Sequence, residues 1–172
     1  MNKPDITPHQ LTKNVKFLHK AVVIVNGKAL ILRRNPDSKS RPSCWDLPGG
    51  NSEWPSLNQS SQANLHQLDV AREIEEETGL VVASKYFTLD ALVYFSSYFA
   101  SDKQIYTIIC GWQTLDSWIE NSFSAKFPEV IISDEHTDYV WVSEAELANY
   151  DFGGVKGQFV VDIIKAAFNN KK

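Results

Sequence analysis

The chain has 172 residues, of which 43% are hydrophobic and 22% charged, and these proportions are typical of a single globular domain spanning residues 1–172. Its formal net charge of −4 argues against binding to long nucleic acid, which requires a basic surface. No apolar run reaches the length of a membrane span, and the first residues lack the apolar core of a signal peptide. Cys44 and Cys110 form neither a disulfide framework nor a metal-ligand spacing, so we expect a cytoplasmic protein without a membrane partner.

A β-hairpin is predicted near the start of the chain. Residues 17–25 are rich in β-forming side chains, Asn26-Gly27 is a strong hairpin signal, and residues 29–33 form the returning strand. Residues 34–43 contain prolines, serines and charged side chains and are predicted as a loop. Residues 45–50 then form a short strand that runs into a Pro-Gly-Gly turn.

Helices and further strands follow. The first helix is predicted to begin near residues 63–65 and to end at Gly79, which acts as a left-handed cap. A capping box at residues 143–146 predicts another helix start, and residues 116–123 form either a short helix or a loop. The remaining predicted strands are residues 80–82, 92–98, 104–113 and 139–142.

The last helix is indicated by apolar residues that share one helical face, namely Phe159, Val160, Ile163, Ile164 and Ala167. Strands interrupted by one central and one terminal helix predict an α/β fold with a mixed sheet that is covered on two faces.

The most informative segment is the acidic end of the first helix. Residues three and four apart share a helical face, so Glu73, Glu76 and Glu77 converge, whereas Glu75 points elsewhere. Like charges at these spacings destabilise a helix by about 0.2–0.5 kcal/mol per pair. Such a cluster is either a solvated face or a site for a hard divalent cation, Mg²⁺ or Mn²⁺ before zinc.

Together with the glycine turn, this helix resembles the signature of the Nudix (MutT-type) hydrolases, G-x5-E-x7-R-E-U-x-E-E-x-G-U, in which U is a bulky apolar residue. The motif region covers residues 49–80, and Gly50 supplies its first glycine. The second half of the signature matches without a gap at Arg72, Glu73, Ile74, Glu76, Glu77, Gly79 and Leu80. Several fixed positions in the correct order make a specific signal.

The match departs from the signature in its first half. Twenty-one residues separate Gly50 from Arg72, eight more than the pattern has, and residues 54–64 are predicted as an inserted polar loop. The first glutamate of the signature is absent, because counting from either end reaches Ser56 or Asn64. In the family this glutamate mainly orients the arginine, so we expect Asp69 or Glu53 to hold Arg72 instead.

The resemblance implies a Nudix-type α/β/α sandwich with a mixed β-sheet between helices. It also implies a Mg²⁺-dependent hydrolase that cleaves a phosphoanhydride bond in a nucleoside diphosphate linked to another moiety, a small nucleotide-type substrate. The altered motif leaves open a catalytically weak module that binds nucleotide or a protein partner in a regulatory role. Isoprenyl diphosphate isomerase chemistry ranks last, because neither cysteine lies in the context of that family. The particular substrate and the oligomeric state are not predicted.

The resemblance assigns the metal ligands to Glu73, Glu76, Glu77 and the backbone carbonyl of Gly49. Glu73 either binds a second ion or accepts the proton of the attacking water. Arg72 would orient the glutamates, although the sequence alone also fits a simple surface pair with Glu76. A plain tight turn satisfies Gly49 equally well.

Residues outside the motif are also candidates. Glu135 lies in a loop in which many Nudix enzymes carry an acid that acts as a further ligand or general base, and the alternative is a solvated loop glutamate. Arg33 and Arg34, with Lys39 and Arg41, would bind substrate phosphates through their positive charge, or else belong to an ordinary polar loop.

Aromatic residues on the predicted strands offer a last set of candidates. Tyr94, Tyr98 and Trp112 would stack on a nucleobase, although most aromatic side chains on strands belong to the core.

Overall fold

The structure is a computed structural model that describes residues 14–53, 63–120 and 126–170. Most of the inserted polar loop, residues 54–62, therefore lies outside the described residues. The strands and α-helices are β1 (Val15–Val25), β2 (Lys28–Arg34), β3 (Trp45–Asp46), α1 (Leu65–Thr78), β4 (Leu92–Ala100), β5 (Ile105–Leu115), β6 (His136–Val142) and α2 (Gln158–Asn169). Within these ranges no helix is both long and apolar enough to cross a membrane.

The strands form a mixed sheet in the order β3-β2-β1-β5-β4, with β6 paired to β2. β1 and β5 are parallel, from Val15 opposite Tyr106 to Ile24 opposite Leu115. The pairs β1–β2, β2–β3, β2–β6 and β4–β5 are antiparallel. The mixed sheet expected from the sequence is confirmed.

The hairpin predicted near the start of the chain is confirmed, and β4 and β5 form a second one. Between β1 and β2, Asn26 and Gly27 have φ angles of 49° and 71°, which is the pair of positive values that a two-residue type I′ turn requires. β4 and β5 pair antiparallel up to Ala100 opposite Ile105.

Two apolar cores lie on the two faces of the sheet. On one face Val70 and Ile74 of α1 belong to the same buried cluster as Ala21 and Val23 of β1. On the other face Val22 belongs to a cluster with residues of α2, among them Ile163 and Ile164. Alternate residues of β1 therefore face different helices, and this gives the α/β/α sandwich.

Two predicted elements differ from the structure. Residues 80–82 form no regular strand; only Val82 makes an isolated bridge, to Ile119. The capping box of Ser143 and Glu146 is present, but it begins a 3₁₀ helix, Glu144–Asn149, instead of an α-helix. Residues 116–123, predicted as either a short helix or a loop, begin as a 3₁₀ turn at Asp116–Trp118. Residues 121–123 lie outside the described residues.

The glycine turn, residues 47–50, occupies a split between β1 and β2. These two strands pair only at Ile24 with Ala29 and at Val25 with Lys28. Beyond that point the chain that follows β3 runs beside β1 instead. There the backbone N–H of Ala21 donates to the Pro48 carbonyl and that of His19 to the Gly50 carbonyl, each at 2.9 Å. This arrangement carries the glycine turn towards the end of α1.

Candidate active site

The acidic end of α1 is fixed by a glycine cap. Gly79 has a φ angle of 69°, and its N–H donates to the Glu75 carbonyl at 2.8 Å, so the helix ends where the sequence predicts. Glu73 and Glu77, four residues apart in the last turns, lie on one face of the helix.

Both of these glutamates contact the glycine turn. The Gly49 N–H donates to Glu77 Oε2 at 2.8 Å. Gly50 lies so close to Glu73 that a Cβ atom at position 50 would stand 2.7 Å from Glu73 Oε2. Gly49 has a φ angle of 130°, and a Cβ there would overlap the His19 carbonyl. The close approach of turn and helix therefore requires glycine at position 49, whereas a side chain at position 50 would displace only the flexible end of Glu73.

Burial changes the proton affinity of the two acids. Glu77 is buried, and burial raises its pKa to about 7, although Lys20 and the Gly49 N–H oppose the shift. Burial also raises the pKa of Glu73, against the opposing charge of Arg72. Two acids with raised pKa values beside one turn form a place where added positive charge would be stabilised.

Arg72 is surrounded by carboxylates. It donates to Glu76 Oε2 at 2.8 Å and to Glu73 Oε1 at 3.0 Å. Its guanidinium nitrogens also lie 3.7 Å from Asp69 Oδ1 and 3.7 Å from Glu53 Oε1. The two acids that we expected to replace the missing glutamate of the signature therefore both lie beside Arg72.

The donor atoms fit a divalent ion by their chemistry, since carboxylate and carbonyl oxygens suit Mg²⁺ and Mn²⁺. Within the described ranges, no three His, Cys, Asp or Glu side chains are grouped so that they would hold a metal. The reason is local: Arg72 bonds Glu73 and Glu76, while Glu77 turns towards the Gly49 N–H. Glu76, whose side chain is 57% exposed, would have to leave Arg72 to join the other two.

A buried lysine, missed by the sequence reasoning, holds the other side of the glycine turn. Lys20 Nζ donates to the Gly49 carbonyl at 2.7 Å and to the Leu47 carbonyl at 3.0 Å, and lies 3.2 Å from Asp46 Oδ2. The Gly49 carbonyl, our expected metal ligand, thus uses one lone pair on Lys20 and keeps a second. The available signal was a lysine inside the apolar run of β1, because lysine is rarely buried unless it is paired.

Asp46 is the centre of this charge cluster. Its Oδ2 atom lies 2.5 Å from Arg41 and 3.2 Å from Arg34, and its Oδ1 atom accepts the Leu47 N–H at 2.8 Å. Burial alone would raise the pKa of this carboxyl, but the charges of Lys20 and Arg41 outweigh it and hold the pKa below its usual value.

The two arginines expected to bind substrate differ in their surroundings. Arg34 is partly buried, and it donates to the Ser40 carbonyl at 2.9 Å as well as pairing with Asp46. Arg33 is exposed and donates to the Ser43 carbonyl at 3.3 Å. Arg34 therefore has a structural partner, whereas Arg33 faces solvent.

Glu135 lies in the loop that precedes β6 and runs beside the end of α1. In this loop the Ile131 N–H donates to the Thr78 carbonyl at 2.9 Å, and the Ser133 N–H donates to the Glu77 carbonyl at 3.4 Å. The Glu135 side chain is exposed. The structure thus brings the backbone of this loop to the acidic turn and leaves the Glu135 carboxylate in solvent.

A second buried network adjoins the glycine turn. Trp112 Nε1 donates to His19 Nδ1 at 3.1 Å, and His19 Nε2 lies 2.9 Å from Ser52 Oγ. Because an indole N–H only donates, Nδ1 must accept, so in the neutral ring Nε2 carries the proton and donates to Ser52. Burial lowers the pKa of His19 to about 4, and this keeps the ring neutral near pH 7. His66 stacks on Trp112 with 5.1 Å between ring centroids.

The aromatic residues proposed for base stacking are not gathered at the turn. Trp112 is buried in the core beneath α1. Tyr94 is partly buried against the cluster of α2, on the opposite face of the sheet. Tyr98 is exposed, and its position four residues further along β4 places it on the same face as Tyr94.

Comparison with solved structures identifies the fold. The structure resembles the MutT protein of Methanosarcina mazei Go1, with 23% sequence identity, a TM-score of 0.58, and coverage of 92% of this chain and 97% of that chain. It also resembles the E. coli ORF135 protein, with 19% identity, a TM-score of 0.58, and coverage of 89% and 88%. The NUDIX domain of Shewanella oneidensis NrtR, complexed with ADP ribose, has 15% identity, a TM-score of 0.56, and coverage of 88% and 86%.

No protein-family model and no curated protein sequence matches the chain. At these sequence identities the structural similarity defines the fold alone. The chain has the Nudix-type fold that its motif predicts, an α/β sandwich with a mixed sheet.

Proposed function

We propose that this chain is a metal-dependent hydrolase that cleaves a phosphoanhydride bond in a nucleoside diphosphate linked to another moiety. One observation carries the proposal: on a Nudix-type fold, the buried acid Glu77 accepts the Gly49 N–H, and Glu73 lies against Gly50. The ADP ribose complex of the NrtR NUDIX domain supports a small nucleotide-type substrate.

Glu73, Glu76 and Glu77 are the proposed ligands of Mg²⁺, with Mn²⁺ as the alternative ion, and the second lone pair of the Gly49 carbonyl is a further ligand. A divalent ion there would supply positive charge for the phosphate oxygens and activate water for attack. If Glu76 turned away from Arg72 to hold an ion, Arg72 would keep the carboxylates of Asp69 and Glu53, each 3.7 Å away in the structure.

The roles that we propose for the other candidate residues follow from where their side chains lie. Arg72 orients Glu73 through its 3.0 Å hydrogen bond, so that the carboxylate stays beside Gly50. Glu73 or the exposed Glu135 accepts the proton of the attacking water. Arg33 and Arg34 attract the substrate phosphates through their positive charge. The Arg33 side chain is exposed, and Arg34 keeps part of its side chain exposed beside its ion pair with Asp46.

The second candidate function is a catalytically weak module that binds a nucleotide or a protein partner. It is supported by the missing first glutamate of the signature and by the 2.8 Å hydrogen bond between Arg72 and Glu76, which occupies a carboxylate that catalysis would need.

We also propose a cytoplasmic location. The two cysteines, Cys44 and Cys110, are both free, and free thiols are usual in reducing compartments.

The two functions are separated by a hydrolysis screen with Mg²⁺ over nucleoside triphosphates, nucleotide sugars, ADP-ribose and dinucleoside polyphosphates. The wild-type chain should hydrolyse at least one class, and Glu76→Gln should reduce its turnover by orders of magnitude. Glu75→Gln, the same substitution one residue away on another helical face, should leave turnover within about twofold. Equal turnover in all three proteins, or none in the wild type, would favour the binding module.

A further inference from the structure

Four exposed aromatic side chains form a patch that we call the aromatic face. Its members, with the exposed fraction of each, are Phe17 (45%), Phe95 (65%), Phe99 (53%) and Tyr106 (37%). Strand register places them on one side of the sheet, because Phe99 pairs with Tyr106, and because Ile108, two residues along β5, pairs with Phe17. The Tyr106 hydroxyl donates to Ser97 Oγ at 2.9 Å, between the rings of β4.

Among the residues that the structure describes, the aromatic face continues a core beyond the part that α1 covers. Cys110 and Trp112 lie on the same side of β5 and are buried in the cluster beneath α1. Phe17 likewise shares its side of β1 with the buried Ala21. Soluble chains seldom leave several large apolar side chains exposed together without a binding role.

This face adjoins the candidate active site. The Ser52 N–H donates to the Phe17 carbonyl at 2.9 Å, directly after the glycine turn. The N–H of His19 donates to the Gly50 carbonyl. Phe17 lies two residues before His19 on β1, and two residues along a strand span roughly 7 Å. A sugar ring that separates a planar base from its 5′-phosphate would span this interval.

The size of the face favours a small ligand over a second copy of the chain. Taking ~200 Å² for an aromatic side chain, its four members expose roughly 400 Å² in total. A stable protein dimer buries about 800 Å² on each partner. The aromatic face alone therefore provides about half of what a dimer needs, and more than enough for one planar heterocycle.

A polar group lies at the edge of the face. His19 Nε2 donates to Ser52 Oγ, as the direction of the Trp112 bond requires, so the Ser52 hydroxyl retains its own proton to donate. Ser52 is exposed. An apolar surface with a few placed polar groups is the usual composition of a small-molecule site.

We propose that the aromatic face binds the nucleobase of the substrate by stacking, while the Ser52 hydroxyl donates to the sugar or the base edge. This inference rests on the proposed function, since it places the phosphates of the same molecule at the glycine turn. It replaces Tyr94, Tyr98 and Trp112, the stacking residues suggested by the sequence, with exposed residues on the sheet face that adjoins the glycine turn.

The test is calorimetric titration, with Mg²⁺ present, of AMP, GMP, CMP and UMP, and of ribose 5-phosphate as the matched ligand without a base. At least one nucleotide should bind the wild type fivefold or more tightly than ribose 5-phosphate. Phe17→Ala and Phe95→Ala should weaken that nucleotide by fivefold or more and leave ribose 5-phosphate unchanged. Phe95→Trp should retain nucleotide binding.

Tyr98→Ala is the control, because Tyr98 is an aromatic residue of β4 on the opposite face whose exposed fraction, 53%, lies between those of Phe17 and Phe95. It should change neither affinity. The proposal is overturned if no nucleotide binds more tightly than ribose 5-phosphate, or if Phe95→Ala weakens both ligands equally. It is also overturned if sedimentation shows that Phe95→Ala converts a dimer into a monomer without changing nucleotide affinity.

These titrations separate the inference from the proposed function. Preferential nucleotide binding without Mg²⁺-dependent hydrolysis would support the stacking site and contradict the hydrolase. Hydrolysis with equal affinity for the nucleotides and ribose 5-phosphate would support the hydrolase and contradict the stacking site.

Discussion

Replacing Lys20 with methionine should destabilise the fold through the glycine turn. The buried Lys20 ammonium is the shared donor to the Leu47 and Gly49 carbonyls and one of three cations around Asp46. Methionine fills a similar volume, so the substitution removes the charge and the hydrogen bonds with little change in packing.

The size of the expected loss in stability follows from the groups that lose their contact with the Lys20 ammonium. A hydrogen bond from a charged donor contributes about 1.5–3 kcal/mol, and here two buried carbonyls lose one each. Asp46 still has Arg34 and Arg41, so the further loss of about 3–5 kcal/mol expected for an unpaired buried charge is mostly avoided. Since methionine also contributes apolar burial, we expect a net loss of about 3 kcal/mol in the free energy of unfolding.

Urea denaturation at pH 7 measures this loss directly. For a chain of this size it corresponds to a fall in Tm of about 6–12 °C. Lys28→Met is the matched control, because Lys28 makes an exposed ion pair with Glu146 at 3.4 Å and should lose less than a third as much stability. Equal losses in the two variants would refute the role assigned to the Lys20 cluster.

Three further predictions concern acid stability, the glycine turn and the metal. His19 is held neutral by burial with a pKa of about 4, below the unfolded value of 6.5, so the unfolded chain binds its proton first as the pH falls. The contribution of His19 to stability should therefore decline below pH 6.5. Between pH 7 and 5, the free energy of unfolding of wild type should change by about 2 kcal/mol more in the unfavourable direction than that of His19→Gln in urea denaturation. Gly50→Ala should abolish Mg²⁺-dependent hydrolysis with little loss of Tm, because its methyl group displaces only the end of the Glu73 side chain. Gly49→Ala should lower Tm strongly, because its methyl group collides with the backbone of β1. Mg²⁺ at 100 times its Kd should raise the stability of wild type by about 2.7 kcal/mol in thermal denaturation, and Glu77→Gln should show a much smaller increase.

The parts of the fold that the sequence predicts depend on short-range chemistry. The turn at Asn26 and Gly27 needs two positive φ angles, and the end of α1 needs a left-handed residue at Gly79. Each requirement is met by residue types that favour that conformation, so the hairpin and the helix end follow from local sequence. The same holds for the placement of Glu73 and Glu77 on one helical face.

The parts that the sequence does not predict depend on contacts between distant residues. Lys20 meets Asp46 only because β1 and β2 separate, and His19 meets Trp112 only because β1 and β5 pair in parallel. The exposure of Phe95 depends on how far α1 extends over the sheet, which periodicity along one strand does not reveal. Residues 80–82 are apolar enough for a strand, yet in the described residues they find only the single bridge to Ile119.

We propose that the acidic turn of α1 and the glycine turn together bind a divalent ion. The most direct test is a crystal structure of the chain grown with Mn²⁺ and measured at the manganese absorption edge. We predict one or more anomalous peaks within ligand distance of carboxylate oxygens from Glu73, Glu76 and Glu77, with the Arg72 guanidinium moved away from Glu76. An anomalous map with no peak at these oxygens, and Arg72 still bonded to Glu76, would contradict the proposed metal site.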